Sequence, residues 1–198
     1  MLKLTLNSLE KFFTDSQNFL LVHFQEGLTR GEIDKLARSC HLTFSHEMHQ
    51  LYKWKNGINF NTLPDKTDPN LFPLATFFPL EKSLDYYRYY TKSKKLWRDG
   101  LFPVFNNAGG DFFLVDTDEN SEFYKMIFFF CPSDPLINGM ITFADSMNKL
   151  FSAVLECYKE KAFFYTFYGN TQFLNSISEN EKEIFKRFNP KSEYWLKI

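Results

Sequence analysis

His46 and His49 stand three residues apart with Glu47 between them, the residue types of a hydrolytic zinc centre. On a helix this spacing puts both imidazoles on one face, and His41 offers a third nitrogen nearby in sequence. A zincin motif, however, needs histidines four apart with glutamate directly after the first. The spacing is one short, so the stretch reads as a polar helix face near a helix start, and no metal or other cofactor is expected. Asp116, Asp118 and Asn120 open like a calcium loop, but Ser121 stands where the loop needs glycine and Ile127 where it needs a bidentate glutamate. That segment reads as a solvated turn between strands. Its four acids, Asp116, Asp118, Glu119 and Glu122, offer an acidic lip to a basic partner. Gly109 and Gly110 lack the spacing of a phosphate cradle. They read as a tight turn, with Ala108, that lets another backbone come close. Cys131 has no base beside it in sequence and reads as a structural thiol. No catalytic residue is expected.

Composition narrows the classes further. The chain has 198 residues, 44% hydrophobic and 24% charged, with a formal net charge of −1. A chain of this length can bury a full core, and one domain over residues 1–198 is expected. The charge balance excludes a general nucleic-acid binder, which needs a concentrated basic surface. The 25 Phe, 10 Tyr and 3 Trp make 19% of the chain aromatic, so rings dominate the core and some are expected on the surface. Cys40, Cys131 and Cys157 are odd in number and widely spaced, as in a reducing cytoplasm. The first residues turn polar too soon for a signal segment, and Lys125–Cys131 is too short to cross a membrane.

The elements that would position these residues can be read from periodicity. Asn7 and Glu10 resemble a capping box before a helix over about residues 8–22. Thr29 and Glu32 form a second capping box, Leu28 and Ile33 a hydrophobic staple, and Ile33, Leu36, Ala37 and Cys40 a buried stripe. Ser45 caps a third helix whose apolar side carries Met48, Leu51 and Tyr52, and Asn56-Gly57 reads as its C-cap. Residues 58–79 read as a proline-rich connection. A helix follows, then strands over 101–107 and 111–116, a third at 123–131 and a fourth at 139–144. Helical spacing returns from Asp145, with a last helix at about 177–189. Helices, then hairpin-linked strands, then helices argue α+β, with a mainly antiparallel sheet of about four to six strands packed by N-terminal and C-terminal helices.

Leu51, Trp54, Asn56 and Gly57, followed by Trp97, Phe102-Pro103 and Gly109-Gly110-Asp111 and closed by the segment from Ile141 to Leu150, resemble the SUKH superfamily over roughly residues 26–158. This group includes yeast cell-wall regulators and bacterial immunity proteins. Thr43 stands where a proline is usual. Residues 159–198 would then be a C-terminal helical extension. The resemblance implies a structural role for Trp54, Asn56, Gly57, Pro103, Gly109, Gly110 and Asp111, and a domain without catalytic residues. It also implies a cytoplasmic immunity protein that neutralises a toxin encoded nearby; the oligomeric state stays open, with a monomer favoured. The alternatives are a regulatory scaffold module and a metal-dependent hydrolase at His46 and His49. Tyr and Trp are favoured interface anchors, so Tyr86, Tyr87, Tyr89, Tyr90 and Trp97 are the expected aromatic partner surface, unless that helix packs its rings on the sheet.

Overall fold

Apolar residues at both parities of Phe112–Asp116 and Ile127–Phe130 require a sheet covered on both faces, and the computed structural model shows one. It describes residues 1–65, 67–107, 109–133, 139–169 and 171–197. Helix α1 (Leu2–Asp15) buries Leu2, Leu6, Leu9 and Phe13. It is already under way at Asn7, so Asn7 and Glu10 make no capping box. Glu10 instead accepts from the Trp54 indole at 2.9 Å and pairs with Lys55 at 2.9 Å. The chain breaks after Asp15 and continues as a separate 3-10 turn, Phe19–His23, capped by the Asn18 side chain. Strand β1 (Phe24–Glu26) follows, and then α2 (Arg30–Arg38) with the Thr29–Glu32 capping box in place. In α2, Ile33 and Ala37 are buried, whereas Leu36 and Cys40 are only half-buried. Helix α3 (His46–Trp54) is capped by Ser45 and buries Met48, Leu51 and Tyr52.

The expected glycine C-cap is not there. Lys55 ends α3 in an extended conformation, and Asn56 and Gly57 lie inside strand β2 (Lys55–Ile58). Phe24 faces Ile58 and Glu26 faces Lys55, so Gln25 of β1 opposes two residues of β2. This is a bulge with glycine in the left-handed region, Gly57 at φ 73°.

The proline-rich connection holds two short strands that its composition conceals, β3 (Asn70–Phe72) and β4 (Ala75–Phe77). Helix α4 (Leu80–Arg88) runs into a π-turn, Tyr89–Ser93. Strands β5 (Leu101–Asn106), β6 (Phe112–Asp116), β7 (Ile127–Phe130) and β8 (Met140–Ala144) then form a meander. β7 is shorter than the apolar run suggested, because residues 121–125 form turns. The main sheet is antiparallel and six-stranded, in the order β3-β4-β5-β6-β7-β8. Pro103 sits in an internal strand, where its missing N–H would break a ladder. The register shifts between Pro103 and Phe105, and Val104 is the extra residue of that bulge.

Alternation divides the sheet's side chains. Phe113, Val115, Ile127, Phe129, Ile141 and Phe143 enter the main core with the helices. Phe112, Leu114 and Phe130 join a smaller cluster with Trp97 and Leu101 on the other face. Helix α5 (Met147–Lys159) closes the main core, and the Tyr158 hydroxyl donates to the Leu71 carbonyl at 2.8 Å. The C-terminal part is not purely helical. It holds a hairpin of β9 (Phe163–Tyr168) and β10 (Thr171–Ser176) before α6 (Ser178–Phe188) and α7 (Glu193–Lys197). Phe164, Phe167, Tyr168 and Phe173 of the hairpin are exposed. α7 docks at β8, where the Trp195 indole donates to the Phe143 carbonyl at 3.1 Å.

Candidate interaction surfaces

The five aromatic residues expected on one exposed surface part company. Tyr87 and Trp97 are buried, Tyr86 and Tyr90 are half-buried, and Tyr89 is 46% exposed. Tyr86 stacks on Phe78 with ring centroids 5.4 Å apart, and Tyr90 packs against Trp97 at 4.8 Å and Phe112 at 5.1 Å. On the opposite side of the helix, Tyr87 lies 5.9 Å from Phe102 and its hydroxyl accepts from the Gly100 N–H at 3.1 Å. Burial pushes the Tyr87 phenol above its ordinary range. The segment therefore packs its rings on the sheet. The exposed aromatic surface loses Tyr87 and Trp97, and Tyr89 alone of the five stands well out in solvent, with the Lys94 ammonium 5.7 Å from its ring.

The acidic lip also loses a member. The Asp116 side chain is fully buried and accepts from Arg98 at 2.6 Å and from the Asp118 N–H at 3.0 Å. A buried carboxylate needs such partners, so Asp116 holds the loop and is not presented to solvent. Asp118 turns back to accept from the Asn120 N–H at 3.0 Å. Glu119 is exposed and accepts from the Tyr124 hydroxyl at 3.3 Å. Glu122 is exposed as well. Asp118 and Glu119 border a shallow hollow with His41, Lys92 and Asp99, and Lys92 pairs with Asp99 at 2.8 Å.

The residues named for architecture make the following contacts. The buried Asn56 side chain accepts from the Leu80 N–H at 2.9 Å and so caps α4, and its amide donates to Glu81 at 3.2 Å. A Cβ on Gly57 would stand 2.2 Å from the Phe78 carbonyl carbon. Trp54 braces Phe24 and Phe151, with centroids 5.5 and 6.1 Å away. Asn107 accepts from the N–H groups of Gly109 and Asp111 at 2.8 and 3.0 Å and donates to the Asp111 carboxylate at 2.7 Å. Ala108 lies outside the described residues. The expected close approach of a backbone belongs to Gly57 and not to this turn, since a Cβ on Gly110 would meet nothing within 4 Å.

His46 and His49 share a face of α3, but their nitrogens are not gathered for a metal. His49 has Nε2 at 2.7 Å from Asp34 and Nδ1 at 3.0 Å from the Ser45 carbonyl, so acceptors already engage both ring nitrogens. That bond holds the Asp34 carboxyl below its ordinary range. His41 borders the other hollow. Among the described residues no three His, Cys, Asp or Glu are grouped to hold a metal. Cys131 is half-buried, with Sγ 3.5 Å from the Ser133 hydroxyl.

What the pair does line is a cleft of about 590 Å³ that the sequence did not announce. Its floor is Leu6, Phe44 and Trp54. Lys3 and Asn7 rise on the α1 side, His46, Gln50 and Lys53 on the α3 side, and Arg30 stands at the start of α2. The i, i+4 pair on α1 and the 46-50-53 stripe on α3 are the signals available in sequence. Nothing local says that the two stripes face each other.

The architecture defines the class first: an α+β domain with helices packed around an antiparallel sheet. Residues 27–153 match the SMI1 / KNR4 family (SUKH-1), and the chain belongs to that family. No curated protein matches the chain. The family match starts after α1 and stops within α5, so the α1 wall of the cleft and the β9–β10 hairpin lie outside it. No described helix is long and apolar enough to cross a membrane.

Proposed function

We propose that this chain is an immunity protein that binds a toxin encoded nearby and blocks it by covering its working surface. The observation that carries this reading is the family match over residues 27–153. The geometry supports it, because the groups with the most chemical promise are engaged in structure. His49 is tied to Asp34, Asp116 to Arg98, and Asn107 to its own turn. The protein acts as a cytoplasmic monomer, makes and breaks no bonds, and uses surfaces that include the rim carboxylates Glu119 and Glu122 and the ring of Tyr89. The test is co-expression with the product of the adjacent reading frame. Restored growth and a one-to-one complex on gel filtration are expected. A neighbouring toxin that kills in the presence of this chain and elutes without it would overturn the reading.

A further inference from the structure

We infer that the cleft between α1 and α3 docks an acidic, aromatic-containing segment of a protein partner. The inference rests on the reading of the chain as a binding protein and names the chemistry of what it binds.

The charge is concentrated against the trend of the molecule. The whole chain carries −1, yet Lys3, Arg30 and Lys53 converge on this one cleft, and no carboxylate lines it. The nearest acids are committed elsewhere. Glu10 is held by Trp54 and Lys55, at 2.9 Å each. Asp34 is held by His49 at 2.7 Å and by Arg30 at 3.7 Å. Glu47 accepts from the Asn148 N–H at 3.2 Å. Among the described residues the Lys3 and Lys53 ammonium groups meet no carboxylate. Unpaired cations around an apolar floor raise the local concentration of anions and fix their register.

The floor selects among anions. Leu6 and Phe44 lie almost wholly under cover, and the half-buried Trp54 indole offers the accessible apolar face, so an occupant gains from an apolar body as well as negative charge. A volume of about 590 Å³ takes a few side chains. A peptide with carboxylates flanking an aromatic ring meets both demands: the ring against Trp54, and the carboxylates on Lys3 and Lys53, with Arg30 beside them shared with Asp34. A bare phosphate would leave the floor wet, and a nucleic-acid strand would need a basic track longer than this cleft offers.

Trp54 supplies the readout, because Trp97 and Trp195 are buried and Trp54 borders the cleft. The full chain is titrated with a synthetic glutamate-rich peptide carrying a central phenylalanine, and Trp54 emission is followed. The same peptide with every glutamate replaced by glutamine, tripolyphosphate, and oligothymidylate are the other arms. The acidic peptide is expected to bind saturably, about tenfold or more tighter than its glutamine version, and to weaken as salt rises. The double variant Lys3→Glu/Lys53→Glu is expected to lose about tenfold or more in affinity with an unchanged melting temperature, and Lys159→Glu, outside the cleft, to lose nothing. No saturable binding, equal binding of the glutamine peptide, or indifference to the double reversal would overturn the site. Tripolyphosphate or oligothymidylate binding as tightly as the acidic peptide would overturn the assignment to a polypeptide. The growth assay separates the two readings. A wild-type chain that rescues growth but ignores the peptide keeps its neutralising role and loses this docking site. A chain that binds the peptide as expected but rescues nothing does the reverse.

Discussion

Two asparagine–glycine stretches, the bulge at Asn56-Gly57 in β2 and the turn running from Asn107 to Gly110, use the same residue types for different ends. Asn56 reaches 24 residues along the chain to cap α4 at the Leu80 N–H. Asn107 reaches only the N–H groups of Gly109 and Asp111. Gly57, at φ 73°, is pressed against the backbone of Phe78 and Pro79, while Gly110, at φ 94°, has open space where a side chain would go. The bulge ties β2 to the start of α4. The turn only reverses β5 into β6. Residue type sets what a turn can do, and burial sets what depends on it.

The contrast can be tested by substitution, read as shifts in the denaturant midpoint. Gly57→Ala is expected to be the most damaging, because its Cβ meets the Phe78 backbone at 2.2 Å and β2 must move away from the Phe78–Pro79 segment. A loss of about 4 kcal/mol or more is expected, enough to prevent accumulation of folded protein. Asn56→Ala removes a buried cap and leaves the Leu80 N–H without an acceptor, for about 2 kcal/mol. Asn107→Ala removes three local hydrogen bonds at the surface and should cost about 1.5 kcal/mol, since water replaces part of them. Gly110→Ala should cost about 1 kcal/mol, the strain of a positive φ without a clash. Equal losses for Gly57→Ala and Gly110→Ala would erase the distinction. A larger loss for Asn107→Ala than for Asn56→Ala would invert it. An acid titration probes a third local device. Hydrogen bonds from Thr29 and His49 hold Glu32 and Asp34 below their ordinary values. Their contribution is present above the unfolded values near pH 4 and is lost as pH falls through the depressed ones. Glu32→Gln with Asp34→Asn should flatten the acid limb of the stability curve and lower its neutral plateau.

Legibility followed the range of the interactions. The caps at Thr29 and Ser45 were readable because donor and acceptor lie three residues apart. So were the β5–β8 meander and the course of α5 and α6, whose periods change cleanly. The pattern of Asn56-Gly57 points to a helix C-cap and not to a strand bulge, because the residues that crowd Gly57, Phe78 and Pro79, are remote in sequence. β3 and β4 were hidden by proline and by strands of three residues each, too short for alternation to show. The β9–β10 hairpin was missed between two helical patterns, although Phe163–Tyr168 has strong strand propensity. For the surfaces, the sequence could supply residue types but not their depth. Asp116 and Trp97 looked available and are buried. The cleft draws on residues 3, 30 and 46–53, and only the packing of α1 on α3 brings them together.

The cluster on the sheet's second face stands apart from the main core, and the Trp97 indole N–H finds no acceptor there among the described residues. The smaller cluster has less packing to hold it than the main core, so the stretch from the π-turn to Trp97 is expected to open before the molecule melts. Amide exchange there should outrun that of β6 and β7, with Phe112 and Phe130 becoming briefly solvated while the helices on the other side stay closed.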